Sequence, residues 1–246
     1  MPGGWRRAAD AIGLLRSLVF TIPLIYLHTI LMGLISFVLA PFDRGARLQH
    51  GCARLWARMI LWTSLVRLRV HGAENIDPQR GYVYVSNHQS YIDTPIVFAA
   101  LPTRFCIMAK ASVFHIPFLG WHLQRTGNLP IPRNSPLTSA RRLLEATSAI
   151  RHGRSLFVFP EGGRNPEPAV GEFRHGIFMA AIQAGVPVVP ITIRGSRPVL
   201  DYHSWTIRPG TVEVIIDAPL ETVGMDKRQA EELCERTRSL IAARFG

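Results

Sequence analysis

His88 and Asp93 lie five positions apart, where the apolar run Val83-Tyr84-Val85 gives way to Ser86-Asn87-His88-Gln89-Ser90. An imidazole takes up and releases protons near neutral pH, and a carboxylate bonded to it fixes its tautomer and stabilises the imidazolium. Such a pair can take a proton from a hydroxyl as that hydroxyl attacks a carbonyl. On one unbroken helix, at 3.6 residues per turn, a spacing of five turns the two side chains about 140° apart. They meet only if a strand ends near Asn87 and a turn intervenes. Asp93-Thr94-Pro95 suits that picture, since Asp caps helices and Pro is tolerated in the first helical turn. Taken singly, Asp93 also reads as a plain helix cap and His88 as a hydrogen-bonded loop histidine.

A second set of residues could hold a phosphate. In Phe159-Pro160-Glu161-Gly162-Gly163-Arg164 the glycines let the backbone approach a ligand and present N–H groups, and Arg164 offers a planar fork for phosphate oxygens. Glu161 could orient Arg164 or bond an acceptor hydroxyl. The competing reading is a simple turn with a surface ion pair. Arg133, closing Asn128-Leu129-Pro130-Ile131-Pro132-Arg133, is a second phosphate-clamp candidate, and Lys110, after the apolar run 105–109, is a third. Each also reads as a solvated surface cation. His175 is the rival histidine, without a carboxylate at matching spacing. No Gly-x-Ser-x-Gly elbow occurs, so a serine acyl-enzyme lacks support. The attacking hydroxyl has to come from a substrate and to attack a thioester directly.

The elements that must position these residues alternate along the chain. Residues 66–70, 82–85, 105–109, 155–159, 188–193 and 212–216 read as strands. Residues 94–100, 136–151, 176–184 and 226–243 read as helices, with Gly185 placed to end the third. Alternation of this kind predicts an α/β fold with a mixed, largely buried sheet flanked by helices. Asn87 then stands at a strand end beside His88.

The bulk properties place this domain near lipid. The 246 residues carry a formal net charge of +11 and a mean hydropathy of +0.15. Basic and apolar together suits an anionic membrane or anionic lipid better than nucleic acid. Residues 17–40 contain no Lys, Arg, Asp or Glu. The run reaches the roughly 20 residues a bilayer-crossing helix needs and exceeds the about 7–15 of a signal-peptide core. Residues 51–66 mix Trp56 and Trp62 with Arg54 and Arg58, as an interfacial helix does, although packing onto the catalytic domain fits as well. A membrane-embedded N-terminal helix pair is expected, either spanning or entering one leaflet. Residues 1–64 form the anchor and 65–246 the catalytic domain. Cys52, Cys106 and Cys234 are widely spaced and read as free thiols or buried fillers.

In this order, the motifs resemble the glycerolipid acyltransferases, in particular the bacterial 1-acyl-sn-glycerol-3-phosphate acyltransferases, from about residue 66 to 217. Asn87-His88 through Asp93 is similar to the family's His-x4-Asp block. Ile131-Pro132-Arg133 resembles its second block, whose arginine helps bind acceptor phosphate. Phe159–Arg164 resembles its Phe-Pro-Glu-Gly-Thr-Arg block, and residues 186–190 resemble its proline-containing fourth block. Gly163 stands where the family usually has Thr, which bears on the choice of acceptor. The resemblance implies a glycerol-3-phosphate acyltransferase-like fold and no metal or cofactor. It implies acyl-CoA or acyl-acyl carrier protein as co-substrate and a cytoplasmic active site at the inner membrane.

The expected reaction is transfer of a fatty acyl group to the sn-2 hydroxyl of lysophosphatidic acid, giving phosphatidic acid. His88 is the base and Asp93 its partner; Asn87, Lys110, Arg133, Glu161, Gly162, Gly163 and Arg164 face the substrate. Three rivals stay open: the same chemistry on another lysolipid, such as a lyso-ornithine lipid or a lysophospholipid; a non-catalytic lipid-phosphate binder; and, from charge alone, a nucleic-acid binder.

Overall fold

The structure is a computed structural model that describes residues 3–43, 46–131, 145–148, 150 and 153–246. Strands β1 (Val66–His71), β2 (Val83–Ser86), β3 (Phe105–Lys110), β4 (Leu129–Ile131), β5 (Ser155–Val158), β6 (Val188–Arg194) and β7 (Gly210–Ile216) form one sheet. Their order across it is β1-β7-β6-β2-β5-β3-β4. Every neighbouring pair is parallel except β6 with β7. The central strands β2 and β5 are buried at every residue, as expected of a parallel sheet covered on both faces.

Successive side chains on a strand point to opposite faces, and the two cores show it. Tyr82 and Tyr84 join one apolar cluster, while Val83 and Val85 join the other. The first cluster lies under α3 (Arg47–Thr63) and α4 (Asp93–Ala100); the second lies under α6 (Gly176–Ala184) and α7 (Ala230–Phe245). The mixed α/β sandwich read from the sequence is the observed fold. Strand and helix bounds differ from the expected ones by one to a few residues. Of the helix expected over 136–151, residues 145–148 and 150 are helical and the remainder lies outside the described residues. Among the described residues, two short α-helices, α5 (Leu119–Arg125) and Ser196–Val199, were not expected.

The N-terminal helix is longer than its uncharged stretch. α1 (Gly3–Arg16) continues through a π-helical turn, Ser17–Thr21, into α2 (Ile22–Leu39). Arg16 does not stop it, because its guanidinium donates to the Ile207 carbonyl. Within Asp10–Phe42 an 18-residue stretch reaches a mean hydropathy of 2.1, and Leu18, Phe20, Leu27, Leu34 and Phe37 are exposed. α3 is amphipathic in the manner expected of residues 51–66. Ala53, Ala57 and Leu61 enter the first core, and Trp62 is exposed.

Candidate active site at the carboxyl edge of the sheet

Parallel pairing brings separated motifs together. β2, β3, β4, β5 and β6 all run the same way, so the loops after their carboxyl ends emerge at one edge of the sheet, where open α/β folds bind ligands. His88 follows β2, Lys110 ends β3 and Phe159 follows β5. Lys110 is exposed and pairs in register with Ile131 of β4. Arg133 lies outside the described residues, two positions beyond β4.

The turn after β2 holds the dyad. His88 Nδ1 lies 2.9 Å from Asp93 Oδ2, and Asp93 is fully buried. The same oxygen accepts the N–H groups of Gln89 and Ser90, both at 2.8 Å. Asp93 is therefore not the cap that its sequence context suggested. It is the first residue of α4, Ile92 is the cap position, and the carboxylate reaches back to close the preceding turn. With Nδ1–H donating to Asp93, the basic nitrogen of His88 is Nε2.

The loop after β5 fixes His88 from the other side. The Phe159 ring stacks on the imidazole with centroids 4.0 Å apart and planes 14° apart. Glu161 Oε1 accepts the His88 N–H at 2.8 Å, and Oε2 accepts the Gly171 N–H at 3.3 Å. Glu161 thus braces the two loops through backbone N–H groups. Burial pushes its carboxyl up to about 7, with Asp93 adding to the rise and the two N–H bonds opposing it. Asn165 N–H donates to the His88 carbonyl at 2.9 Å, which brings the neighbouring Arg164 to the same turn.

Asn87 is fully buried, and its amide is spent on the backbone of β6. Nδ2 donates to the Ile193 carbonyl at 3.0 Å, and Oδ1 accepts the Ile193 N–H at 2.9 Å. Gly162 sits at φ +75°, a conformation that favours glycine, with the Arg174 guanidinium packed close above it. Gly163 is the next residue of this loop. The Arg164 guanidinium carbon lies 3.4 Å from the Tyr91 ring centroid and 5.5 Å from that of Tyr202.

Reading the sequence missed Phe159 as the plate behind the histidine, and it missed Arg174, Tyr91 and Tyr202. Only Phe159 carried a usable signal, as the first residue of its motif. His175 is exposed at the cap position of α6, with no role at the dyad.

A cavity of about 340 Å³ opens beside the turn at Tyr91 and Ile92 and runs between α2, α3, α4 and α5. Its lining is mainly apolar, including Ile25, Met32, Ala53, Ile60, Phe98 and Leu123. α2 and α5 close on each other at Gly33, where a Cβ would lie 2.5 Å from Phe118 Cβ. Beyond that contact, Ser36 Oγ lies 2.8 Å from His122 Nδ1 and also bonds Gln49. Burial pushes His122 down to about 4, so it is neutral in this wall. Among the described residues, no group of three His, Cys, Asp or Glu side chains is placed to hold a metal ion.

A His–Asp pair at the carboxyl edge of a mixed sheet, beside an apolar cavity, is an arrangement in which an imidazole could act as a general base. The Acyltransferase family model matches residues 67–194, which span both the dyad and the loop after β5. The chain belongs to the acyltransferase family. It is 33% identical over 204 residues to the chloroplastic 1-acyl-sn-glycerol-3-phosphate acyltransferase of Arabidopsis thaliana, covering 82% of this chain and 55% of that one. To the 1-acyl-sn-glycerol-3-phosphate acyltransferase of Pseudomonas aeruginosa it is 28% identical, covering 85% of this chain and 82% of the relative. The chain spans 55–64% of the length of its relatives from Arabidopsis thaliana, Brassica napus and Chlamydomonas reinhardtii. The crystal structure of the 1-acyl-sn-glycerophosphate acyltransferase from Thermotoga maritima superposes with a TM-score of 0.77 at 24% identity, over 98% of this chain and 99% of that one. That likeness concerns the fold.

Proposed function

We propose that this protein transfers a fatty acyl group from an acyl thioester to the sn-2 hydroxyl of lysophosphatidic acid, giving phosphatidic acid. The observation that carries the reading is the Asp93-held His88, on a turn whose Tyr91 and Ile92 line an apolar cavity, with Arg164 on the adjoining loop. Relatives whose names carry the same reaction support it.

In this mechanism His88 Nε2 takes the proton of the acceptor hydroxyl as its oxygen attacks the thioester carbonyl. The tetrahedral oxyanion then collapses, the C–S bond breaks, and the imidazolium returns the proton to the leaving thiolate. Asp93 stabilises the imidazolium, and the stacked Phe159 and the Glu161 brace keep the ring in one orientation. The acyl tail lies in the cavity. Arg164 and Arg133 hold the acceptor phosphate, with Lys110 contributing from the end of β3 and the Gly162-Gly163 backbone close to the glycerol. Asn87 positions the turn. The donor is acyl-CoA or acyl-acyl carrier protein, and the reaction needs no metal or cofactor.

Residues 1–64 serve as the membrane anchor and 65–246 as the catalytic domain, at the cytoplasmic face of the inner membrane. The exposed apolar face of α2 supports attachment to a membrane. A second reading keeps the chemistry and changes the acceptor to another lysolipid; Gly163, which lacks the hydroxyl of a threonine, favours it.

The test incubates detergent-purified protein with lysophosphatidate and an acyl thioester whose freed thiol is read by a colorimetric reagent. Wild type is expected to release thiol only when acceptor is present. His88→Ala is expected to lose on the order of 10²–10⁴-fold in rate while staying folded. Undiminished turnover by the variant would remove His88 as the base; wild-type turnover of another lysolipid alone would favour the second reading.

A further inference from the structure

We propose that Tyr202, together with Tyr91, is a positioning residue that presses the Arg164 guanidinium into one plane and thereby presents its N–H edge to the phosphate of the acceptor. The proposal rests on the acyl-transfer reading above and goes beyond it. Tyr202 lies outside the residues matched by the family model, in the segment that follows β6, and no motif of the sequence points to it.

Two aromatic rings lie within cation–π range of one guanidinium. Tyr91, on the His88 turn, holds Arg164 Cζ at 3.4 Å from its ring centroid, and Tyr202 approaches the same atom at 5.5 Å. A cation within about 6 Å of an aromatic centroid is attracted by the ring quadrupole. A stacked guanidinium leaves its in-plane N–H groups free, and these match two phosphate oxygens at once. Arg164 Nε makes no hydrogen bond among the described residues although it is buried, so this side chain is held by rings and keeps a donor to give.

Tyr202 is itself held in place. Its N–H donates to Asp201 Oδ1 at 2.6 Å, and that carboxylate lies 3.7 Å from Arg197 Nε. Ser90 Oγ donates to the Leu200 carbonyl at 2.6 Å, tying the dyad turn to the start of this segment. Arg197 donates to the Pro166 carbonyl of the loop that follows Arg164. These bonds tie the backbone that carries Tyr202 to the turn that carries His88 and Tyr91, so both rings are delivered to Arg164 by one bonded framework. Ordering of this kind raises affinity by removing the cost of immobilising a long side chain.

The experiment compares wild type, Tyr202→Leu and Tyr202→Phe in two assays. One measures kcat and KM for lysophosphatidate at saturating thioester; the other measures equilibrium binding of lysophosphatidate without donor. Tyr202→Leu is expected to raise KM and weaken binding about five- to tenfold with kcat little changed. Tyr202→Phe keeps the ring and is expected to stay near wild type. Unchanged KM and binding in Tyr202→Leu would overturn the clamp and leave the acyl-transfer reading standing. Loss in Tyr202→Phe equal to that in Tyr202→Leu would also overturn it, by assigning the effect to the hydroxyl. Absence of wild-type transfer would remove the acyl-transfer reading, and the binding assay would then decide the clamp alone: a loss in Tyr202→Leu only supports it, equal binding overturns it.

Discussion

At the scale of single residues, the site is a set of restraints on one imidazole. Asp93 bonds it, Phe159 stacks on it, and Glu161 holds its backbone. Three restraints from two loops matter because a general base works only in one orientation, and a 1 Å misplacement costs heavily. Glu161 has a testable electrostatic signature. Its carboxyl titrates at about 7 in the folded protein, chiefly through burial, against about 4.3 in an unfolded chain. A carboxyl whose pKa is raised on folding stabilises the protein fully below the unfolded value and loses that contribution as pH rises through the folded value. The window therefore runs from about 4.3 to 7. The melting temperature of wild type relative to Glu161→Gln is expected to fall as pH rises through that window and to level off above it. Thermal scans of both proteins from acid to alkaline buffer check this; parallel curves would mean that Glu161 ionises as freely as in water.

At the scale of elements, the turn that carries His88 exists because β2 ends where it does. Asn87 bonds both backbone groups of Ile193, so the strand is locked to β6 immediately before the chain turns away. α2, α3, α4 and α5 supply the cavity, and the contact of Gly33 with Phe118 draws α2 onto α5. Ala53 projects from α3 into both the core and the cavity wall. Ala53→Leu is expected to shorten the preferred acyl chain, read as a fall in kcat/KM for long donors relative to short ones of about tenfold, the equivalent of roughly 1.4 kcal/mol. Competition between donors of two lengths measures it. An unchanged ratio would place the acyl tail elsewhere.

At the scale of the whole molecule, the segment after β6 joins the N-terminal helix to the candidate site. Ser17 Oγ accepts the Ile207 N–H at 2.9 Å, and Arg208 pairs with Asp10 at 3.0 Å. A few residues earlier the same segment bonds Ser90 and carries Tyr202 to Arg164. The apolar helix is thus docked beside the dyad, with Leu27 and Leu34 among its exposed residues. Leu27→Glu combined with Leu34→Glu is expected to abolish flotation with anionic lipid vesicles, since each carboxylate costs several kcal/mol within hydrocarbon. Continued flotation of the folded double variant would assign membrane attachment to another surface.

Much of this protein was legible before any coordinates. Short apolar runs announced the strands, and the apolar run of residues 17–40 stood out by composition alone. The pairing of His88 with Asp93 followed from spacing once a turn was granted. Tertiary structure decided the rest. It made Asp93 the acceptor of three bonds within its turn, turned Glu161 toward two backbone N–H groups, and placed Tyr202 over Arg164. It also enclosed the cavity between helices distant in sequence. These contacts depend on which strands pair and in which direction. Strand order is set by long-range burial over the whole sheet, so no window of the sequence contains it.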